Sequence, residues 1–460
     1  MQDKEEAQKA ALNPVGYQSC ENNDIKPDTP TSYLCNSPKE LKTNMNKDYR
    51  ANQTYAWKRK LPLEEAREIL LQRVTSSLGE QMPISESLGR AVLEDLKGYE
   101  DIPNFNRSLV DGYALLSSDT ANVSENTPVS LMVLGKVAAG RRPCFQVTTQ
   151  TTVKVMTGAP LPLGADAVVK CEDVRCEGLF VQVDQPVMAG AHVALAGERI
   201  KAGETVVAMG TPLNPALLGF LAETGFEHIP VHSAVKVAII STGSELVAPG
   251  QTIGNCKIYN SNQYFLTALL SKIGAEPIPM GIVPDDTAKI AAILQDALVK
   301  ADLVITTGGA SAGDYDLIEP ALTMAGVKGL FSGINIKPGK SFVAGEKDGK
   351  LILCLSGHPG AAFTAFELLV KPVIKKMLGY KDVLPRQVEV ILSGEQEKIG
   401  VRRIKTAKLS IEGGIAKANI LTGQGILRTL ADCDLFVDIP AGNGRVADGE
   451  MVTAYMVEIA

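Results

Sequence analysis

The chain has 460 residues, 45% of them apolar, with 42 glycines, 25 prolines and a net charge of −6. That length suits about two to four domains and the composition rules out wholesale disorder. The lack of a basic surplus excludes a general nucleic-acid binder, though not one phosphorylated small molecule in a locally basic pocket. No apolar run approaches the ~20 residues that span a bilayer. Met1–Glu6 has no apolar core of an export signal, so a cytoplasmic protein with no membrane partner is expected. Eight cysteines without a CxxC spacing read as reduced thiols, most of them packed in cores. Four histidines argue against a metal site built from imidazoles.

Residues 1–56 hold seven Asn and one Gly, with sparse aliphatics and no periodicity. They read as a flexible extension, or as an arm docking through Tyr17, Tyr33, Tyr49 and Tyr55. Ordered structure is expected from Trp57. Pro62 suits a first helical turn, and Leu63, Ala66, Leu70 and Val74 mark one helical face. Ser85–Asp95 repeats the helical pattern. From 104 to 198 short runs (129–134, 152–156, 167–170, 179–183) alternate with Gly and Pro, as small antiparallel sheets do. Residues 215–224 look helical. Between 232 and 382, apolar strands at 235–241, 276–283, 303–306 and 351–355 alternate with helices near 264–273, 287–300, 317–325 and 361–377. This rhythm predicts an α/β protein with a doubly wound, mostly parallel sheet. Short strands return after Pro385 and suit a small C-terminal β-barrel.

Ligands of open α/β sheets bind beyond the carboxyl ends of the strands. Three strands here end in glycine-rich polar turns: Ser241-Thr242-Gly243-Ser244-Glu245, Thr306-Thr307-Gly308-Gly309-Ala310-Ser311-Ala312-Gly313-Asp314-Tyr315-Asp316, and Leu355-Ser356-Gly357-His358-Pro359. Each alone is commonly an ordinary strand–helix turn. Three on one edge point to a phosphate-bearing ligand, because glycine lets backbone N–H groups approach an anion. Glu245, Asp285, Asp286, Asp314 and Asp316 gather at the same edge and offer hard oxygens to Mg²⁺. Asp285 and Asp286 can equally cap the helix from Thr287. Lys337 and Lys340, fixed by Pro338-Gly339, can clamp a diphosphate or an oxyanion, or form a solvated turn.

Together these segments resemble the molybdopterin molybdenumtransferase family. The resemblance spans about 57–460 and rests on RSLVDGYA (107–114), MTGAPLPLGADAVV (156–169), STGSEL (241–246), TTGGASAGDYD (306–316), KPGK (337–340), LSGHP (355–359) and GQGILRTLADCD (423–434). It implies a discontinuous helical linker domain (57–103 and 199–231), a β-rich second domain (104–198), a molybdopterin-binding α/β domain (232–382) and a C-terminal barrel (383–460). It also implies a homodimer, with the cleft between the second domain of one protomer and the last two domains of the other. The implied reaction takes adenylated molybdopterin from a molybdopterin adenylyltransferase. Molybdenum is inserted from molybdate, and AMP leaves with the help of Mg²⁺. By the same resemblance Asp111, Thr157, Glu245, Asp316 and Lys340 are expected to be catalytic. From the strand-end turns and the KPGK turn, Thr242, Gly243, Gly308, Gly309, Ser311, Lys337, Ser356, Gly357, His358 and Pro359 are expected to bind the pterin substrate. Glu245, Asp285, Asp314 and Asp316 are expected to hold the metal.

The chain departs from the family pattern at four places. An N-x-R element followed by G-E-D-I is here His192-Val193-Ala194 and Gly197-Glu198-Arg199-Ile200. L-P-G-N-P is Leu355-Ser356-Gly357-His358-Pro359, and M-D-G-Y-A begins with Val110. Ser356 adds a hydroxyl, His358 adds a group that titrates near neutrality, and Arg199 reverses a charge. These changes keep three readings open: a molybdenum insertase, a tungsten-selective one, and an impaired paralogue that binds or carries the pterin.

Overall fold

The structure is a computed structural model that describes residues 58–309, 317–423 and 425–457. Residues 1–56, together with Trp57, lie outside them, as do Ser311, Asp314 and Asp316.

A seven-stranded sheet organises the chain. Its spatial order is Lys58–Leu61, Lys328–Ile334, Val343–Lys347, Lys350–Leu355, Leu303–Thr307, Lys236–Thr242 and Glu276–Val283. Val343–Lys347 runs against both neighbours, and the other pairings are parallel. The strands read as continuous apolar runs because both faces are covered. Val237, Ile239, Leu303, Ile305, Leu351 and Leu353 face a core closed by the helices Leu63–Gln72 and Ser261–Lys272 and by residues 359–377. Ala238, Ile240, Val304, Ile352 and Cys354 face the helices Thr287–Lys300 and Ile318–Met324. The expected doubly wound sheet is therefore present.

Within 359–377 the helical turns Pro359–Ala365 and Lys371–Met377 flank a π-turn at Phe366–Val370. Pro372 has no N–H to give an α-helical ladder, and a wider turn just before it absorbs the break.

A second core holds Val92, Leu96, Val207, Leu213, Leu221, Phe226, Ile229 and Val231. It joins chain from either side of the 104–198 region, through Gly79–Pro83 paired with His228–His232 and Leu96–Lys97 paired with Thr205–Val207. Strand Lys58–Leu61 and helix Leu63–Gln72 pack elsewhere, on the central sheet. The helix expected over 85–95 is absent. Only a 3₁₀ turn at Ile84–Glu86 forms, and Ala91 and Val92 instead make β-bridges to Pro212 and Val231.

The 104–198 region carries a six-stranded sheet in the order Ala167–Lys170, Gly112–Leu115, Thr151–Val155, Val129–Val137, Phe180–Val183 and Arg175–Glu177. It is antiparallel except where Val129–Val137 meets Thr151–Val155.

Near the C-terminus, Arg402–Glu412, Ile415–Ile420, Gln387–Ser393, Met451–Met456 and Leu435–Ile439 close on one another, the last pairing back to the first. This is a five-stranded barrel filled by Val390, Leu392, Ala407, Ala418, Leu435 and Val437. Its outer residues Ile404, Phe436 and Tyr455 join the core of the central sheet, where Phe436 meets Phe363 edge-on at 5.2 Å. Arg402 adds a polar tie to Asp438, Glu64 and the Tyr455 hydroxyl.

Cysteine burial differs from expectation. Only Cys354 and Cys433 of the described cysteines are buried, whereas Cys144, Cys176 and Cys256 are exposed. The exposed ones stand on loops or edge strands that no core covers. No described helix is long and apolar enough to cross a membrane.

Candidate active site at the strand ends

Register brings the three turns together. Ser241 lies opposite Thr307, and Thr307 opposite Leu355, so the strands end level. The turns then interlock. Thr242 Oγ1 donates to the Thr307 carbonyl at 3.2 Å, and Gly308 N–H donates to the Leu355 carbonyl at 3.2 Å. Gly308 has φ +95°, and a Cβ there would stand 2.1 Å from the Thr242 carbonyl oxygen. Only glycine fits this crossing. A Cβ on Gly357 would stand 3.3 Å from Gly308 Cα, so the first and third turns pack around the second.

Helix starts supply the remaining supports. Asn260 caps Ser261–Lys272 and accepts from Ser241 Oγ at 3.1 Å. Asn262, buried in the first turn, donates through Nδ2 to the Gly357 carbonyl at 2.8 Å. Neither asparagine was among the expected site residues. The signal available was a polar Asn-Ser-Asn run just before an apolar helix, which reads only as a cap.

The acidic residues divide by role. Asp286 caps the 287–300 helix, accepting from Lys289 N–H at 3.0 Å. Asp285 exchanges two bonds with Ser244: its carboxylate accepts the Ser244 N–H at 2.8 Å, and its own N–H donates to Ser244 Oγ at 3.0 Å. Glu245 is exposed, with its carboxylate folded beside Gly243. Among the described residues no three metal-ligating side chains cluster. Glu245 and Asp285, on adjoining loops, nonetheless suit Mg²⁺, which commonly takes one or two carboxylates together with phosphate oxygens.

Cations border the same edge. Lys337 and Lys340 are exposed, and a Cβ on Gly339 between them would stand 3.7 Å from the Ala361 carbonyl. The KPGK turn therefore rests on the start of the Pro359–Ala365 helix. Lys337 pairs in register with Arg403 of the barrel. Burial, then Arg403 and Lys337, push the Lys405 ammonium below the usual lysine range. Arg403 and Lys405 thus extend the cationic border onto the barrel, which sequence reasoning missed. Their alternation about buried Ile404 was the signal.

Ser356 is half-buried and His358 exposed. His358 N–H donates to Ser356 Oγ at 3.2 Å. Ile426, from the Ile426–Ala431 helix, would lie 2.8 Å from a Cβ on Gly360, so the C-terminal region covers the far side of this turn.

Asp111 and Thr157 meet each other beside the six-stranded sheet, just before Gly112–Leu115 and just after Thr151–Val155, whereas these turns belong to the seven-stranded sheet. Asp111 Oδ1 accepts both the N–H and the hydroxyl of Thr157 at 2.7 Å. Those two bonds, backbone first, hold the Asp111 carboxyl below the usual carboxylate range. The charge reversal at Arg199 has a partner, since its guanidinium pairs with Glu223 of the Pro215–Glu223 helix. Ala194 is buried opposite Arg107.

Two family models match this chain: the MoeA N-terminal region (domain I and II) over residues 61–225, and a probable molybdopterin binding domain over 238–376. Molybdopterin molybdenumtransferase of Staphylococcus aureus (strain Mu50 / ATCC 700699) is 31% identical over 402 residues, covering 86% of this chain and 96% of that protein. The chain belongs to the molybdopterin molybdenumtransferase family. Molybdopterin molybdenumtransferase 2 of Mycobacterium tuberculosis (strain ATCC 25618 / H37Rv) is likewise 31% identical, over 85% of this chain and 98% of its own. The crystal structure of the molybdopterin biosynthesis moeA protein from Pyrococcus horikoshii OT3 superposes with a TM-score of 0.75 at 34% identity, covering 86% of this chain and all of that one. The multi-domain α/β fold with its closed barrel is therefore that of the molybdenumtransferase family, and the protein is an enzyme of molybdenum cofactor biosynthesis.

Proposed function

We propose that the protein inserts molybdenum from molybdate into adenylated molybdopterin and releases AMP, with Mg²⁺ at the strand-end carboxylates. The observation that supports this most is the interlocked edge, where three glycine turns meet two carboxylates and a cationic border. The exposed backbone around Gly357 and the half-open glycine pair Gly308-Gly309 can approach phosphate oxygens closely. Lys337 and Lys340 would balance the diphosphate charge. Ser356 Oγ already accepts the His358 N–H, which leaves its own proton to donate to an oxyanion. Glu245 and Asp285 would hold Mg²⁺, which neutralises diphosphate charge and orients the bond to be broken.

Asp111, ionised and turned outward, and Thr157 would complete the cleft from a second copy in a homodimer. A cytoplasmic molybdopterin adenylyltransferase would supply the adenylated substrate. The test is purified protein with adenylated molybdopterin, Mg²⁺ and either molybdate or tungstate, read as AMP released. AMP with molybdate supports the proposal, AMP with tungstate alone reassigns the metal, and tight pterin binding without AMP identifies a carrier.

A further inference from the structure

Asn262 is 7% exposed. Its two amide atoms have unlike fates: Nδ2 binds the Gly357 carbonyl at 2.8 Å, while Oδ1 is buried and meets no donor among the described residues. Leaving a buried acceptor unmet costs stability. The one bond the side chain does make, to the carbonyl of an exposed residue, returns no more than that loss. Stability therefore gives no reason to keep an amide at this position.

The planar 357–358 peptide supplies one. Its C=O and N–H point in opposite directions. Asn262 holds the C=O, and Ser356 Oγ receives the N–H at 3.2 Å. With that lone pair occupied, the Ser356 proton is left to donate elsewhere. We propose that Asn262 is a positioning residue that sets the donor direction of Ser356 toward the oxyanion substrate, acting through the 357–358 peptide. This rests on the molybdenum-insertion reading.

The full chain tests it. Asn262→Leu, near in size, and Asn262→Asp, which sets an oxygen against the Gly357 carbonyl, are compared with Ser356→Ala and with Asn262→Leu/Ser356→Ala. We expect each single variant to raise KM for the oxyanion about tenfold, with an unchanged or higher melting temperature for Asn262→Leu. In the double variant Asn262→Leu adds nothing further, as coupling through one group requires. If wild type releases AMP and both Asn262 variants match it, the inference alone is overturned. Additive effects in the double variant, or KM losses that merely track lowered melting temperature, overturn it too. If wild type is inactive with both oxyanions, the parent reading falls and takes this inference with it.

Discussion

The strand-end edge and the Asp111–Thr157 pair achieve fixed geometry by different means. At the edge, backbone packs on backbone: Gly308 against Thr242, Gly357 against Gly308, and the Gly339 turn against Ala361. Around Asp111, an exposed carboxylate is held by two donors of a single residue. The first arrangement offers a shaped surface with little freedom to change. The second offers a charge whose ionised state is favoured but whose surroundings are open. Those are the respective needs of the binding platform and the reactive group proposed above.

The largest expected effect breaks the platform. Gly308→Ala introduces a Cβ 2.1 Å from the Thr242 carbonyl at φ +95°, and should cost about 3 kcal/mol or more in urea unfolding. Gly158, next to Thr157, also has positive φ, +76°, but nothing closer than 3.8 Å to such a Cβ. Gly158→Ala should therefore cost only about 1–2 kcal/mol of backbone strain. Equal losses at the two positions would show that the edge is not locked by packing.

Next in size is the loss of the charge. Asp111→Asn keeps the acceptor of the Thr157 bonds, so melting temperature should hold while AMP release falls about 10²-fold. If the two regions join only across a homodimer, mixing Asp111→Asn with Lys340→Ala chains should restore about a quarter of wild-type activity. Half of the randomly paired dimers are then hybrids with one intact cleft. No recovery after subunit exchange would place both groups in one chain's cleft.

A smaller effect tests how Asp111 is held. Its folded pKa is depressed, so the Thr157 bonds favour the folded state above the ordinary carboxylate range. They are lost only as pH falls through the lower, folded value. Thr157→Val removes the hydroxyl but keeps the backbone N–H, the larger cause. The Asp111 titration, followed by carboxyl NMR, should move up yet stay below that of a free aspartate. A shift all the way to the ordinary value would assign the effect to the hydroxyl instead.

The platform was the more legible region. Continuous β-branched runs at 236–242 and 303–307 and the amphipathic helix Thr287–Lys300 announce a doubly wound sheet, and its strand-end glycines follow. The edge strand Lys58–Leu61 was not legible. Its sequence KRKL has no strand pattern, and it becomes a strand only by pairing with 328–334. The strand Val343–Lys347 was missed as well, although Asp348-Gly349, a two-residue turn favoured between antiparallel strands, was there to signal it. Residues 85–95 carried a helical pattern that tertiary β-bridges to the 205–232 segment override. Asn262 gains meaning only from the Gly357 carbonyl across from it, and the alternating Arg403 and Lys405 join the border only through the pairing of their strand with Lys337.

Arg199 carries the smallest expected effect and decides how one departure from the family pattern is to be understood. Its pair with Glu223 is about half-exposed on both sides, and such pairs contribute roughly 0–1 kcal/mol. Arg199→Glu restores the acidic sign usual at this position but sets two carboxylates together. It should lower the melting temperature slightly, and Arg199→Glu/Glu223→Arg should return it, with AMP release unchanged throughout. That outcome would make Arg199 one half of an exchanged surface ion pair. If Arg199→Glu instead raised AMP release while the double variant did not, the arginine would be restraining the reaction. The charge in this region, and not only the donors around Asp111, would then govern the second half of the proposed cleft.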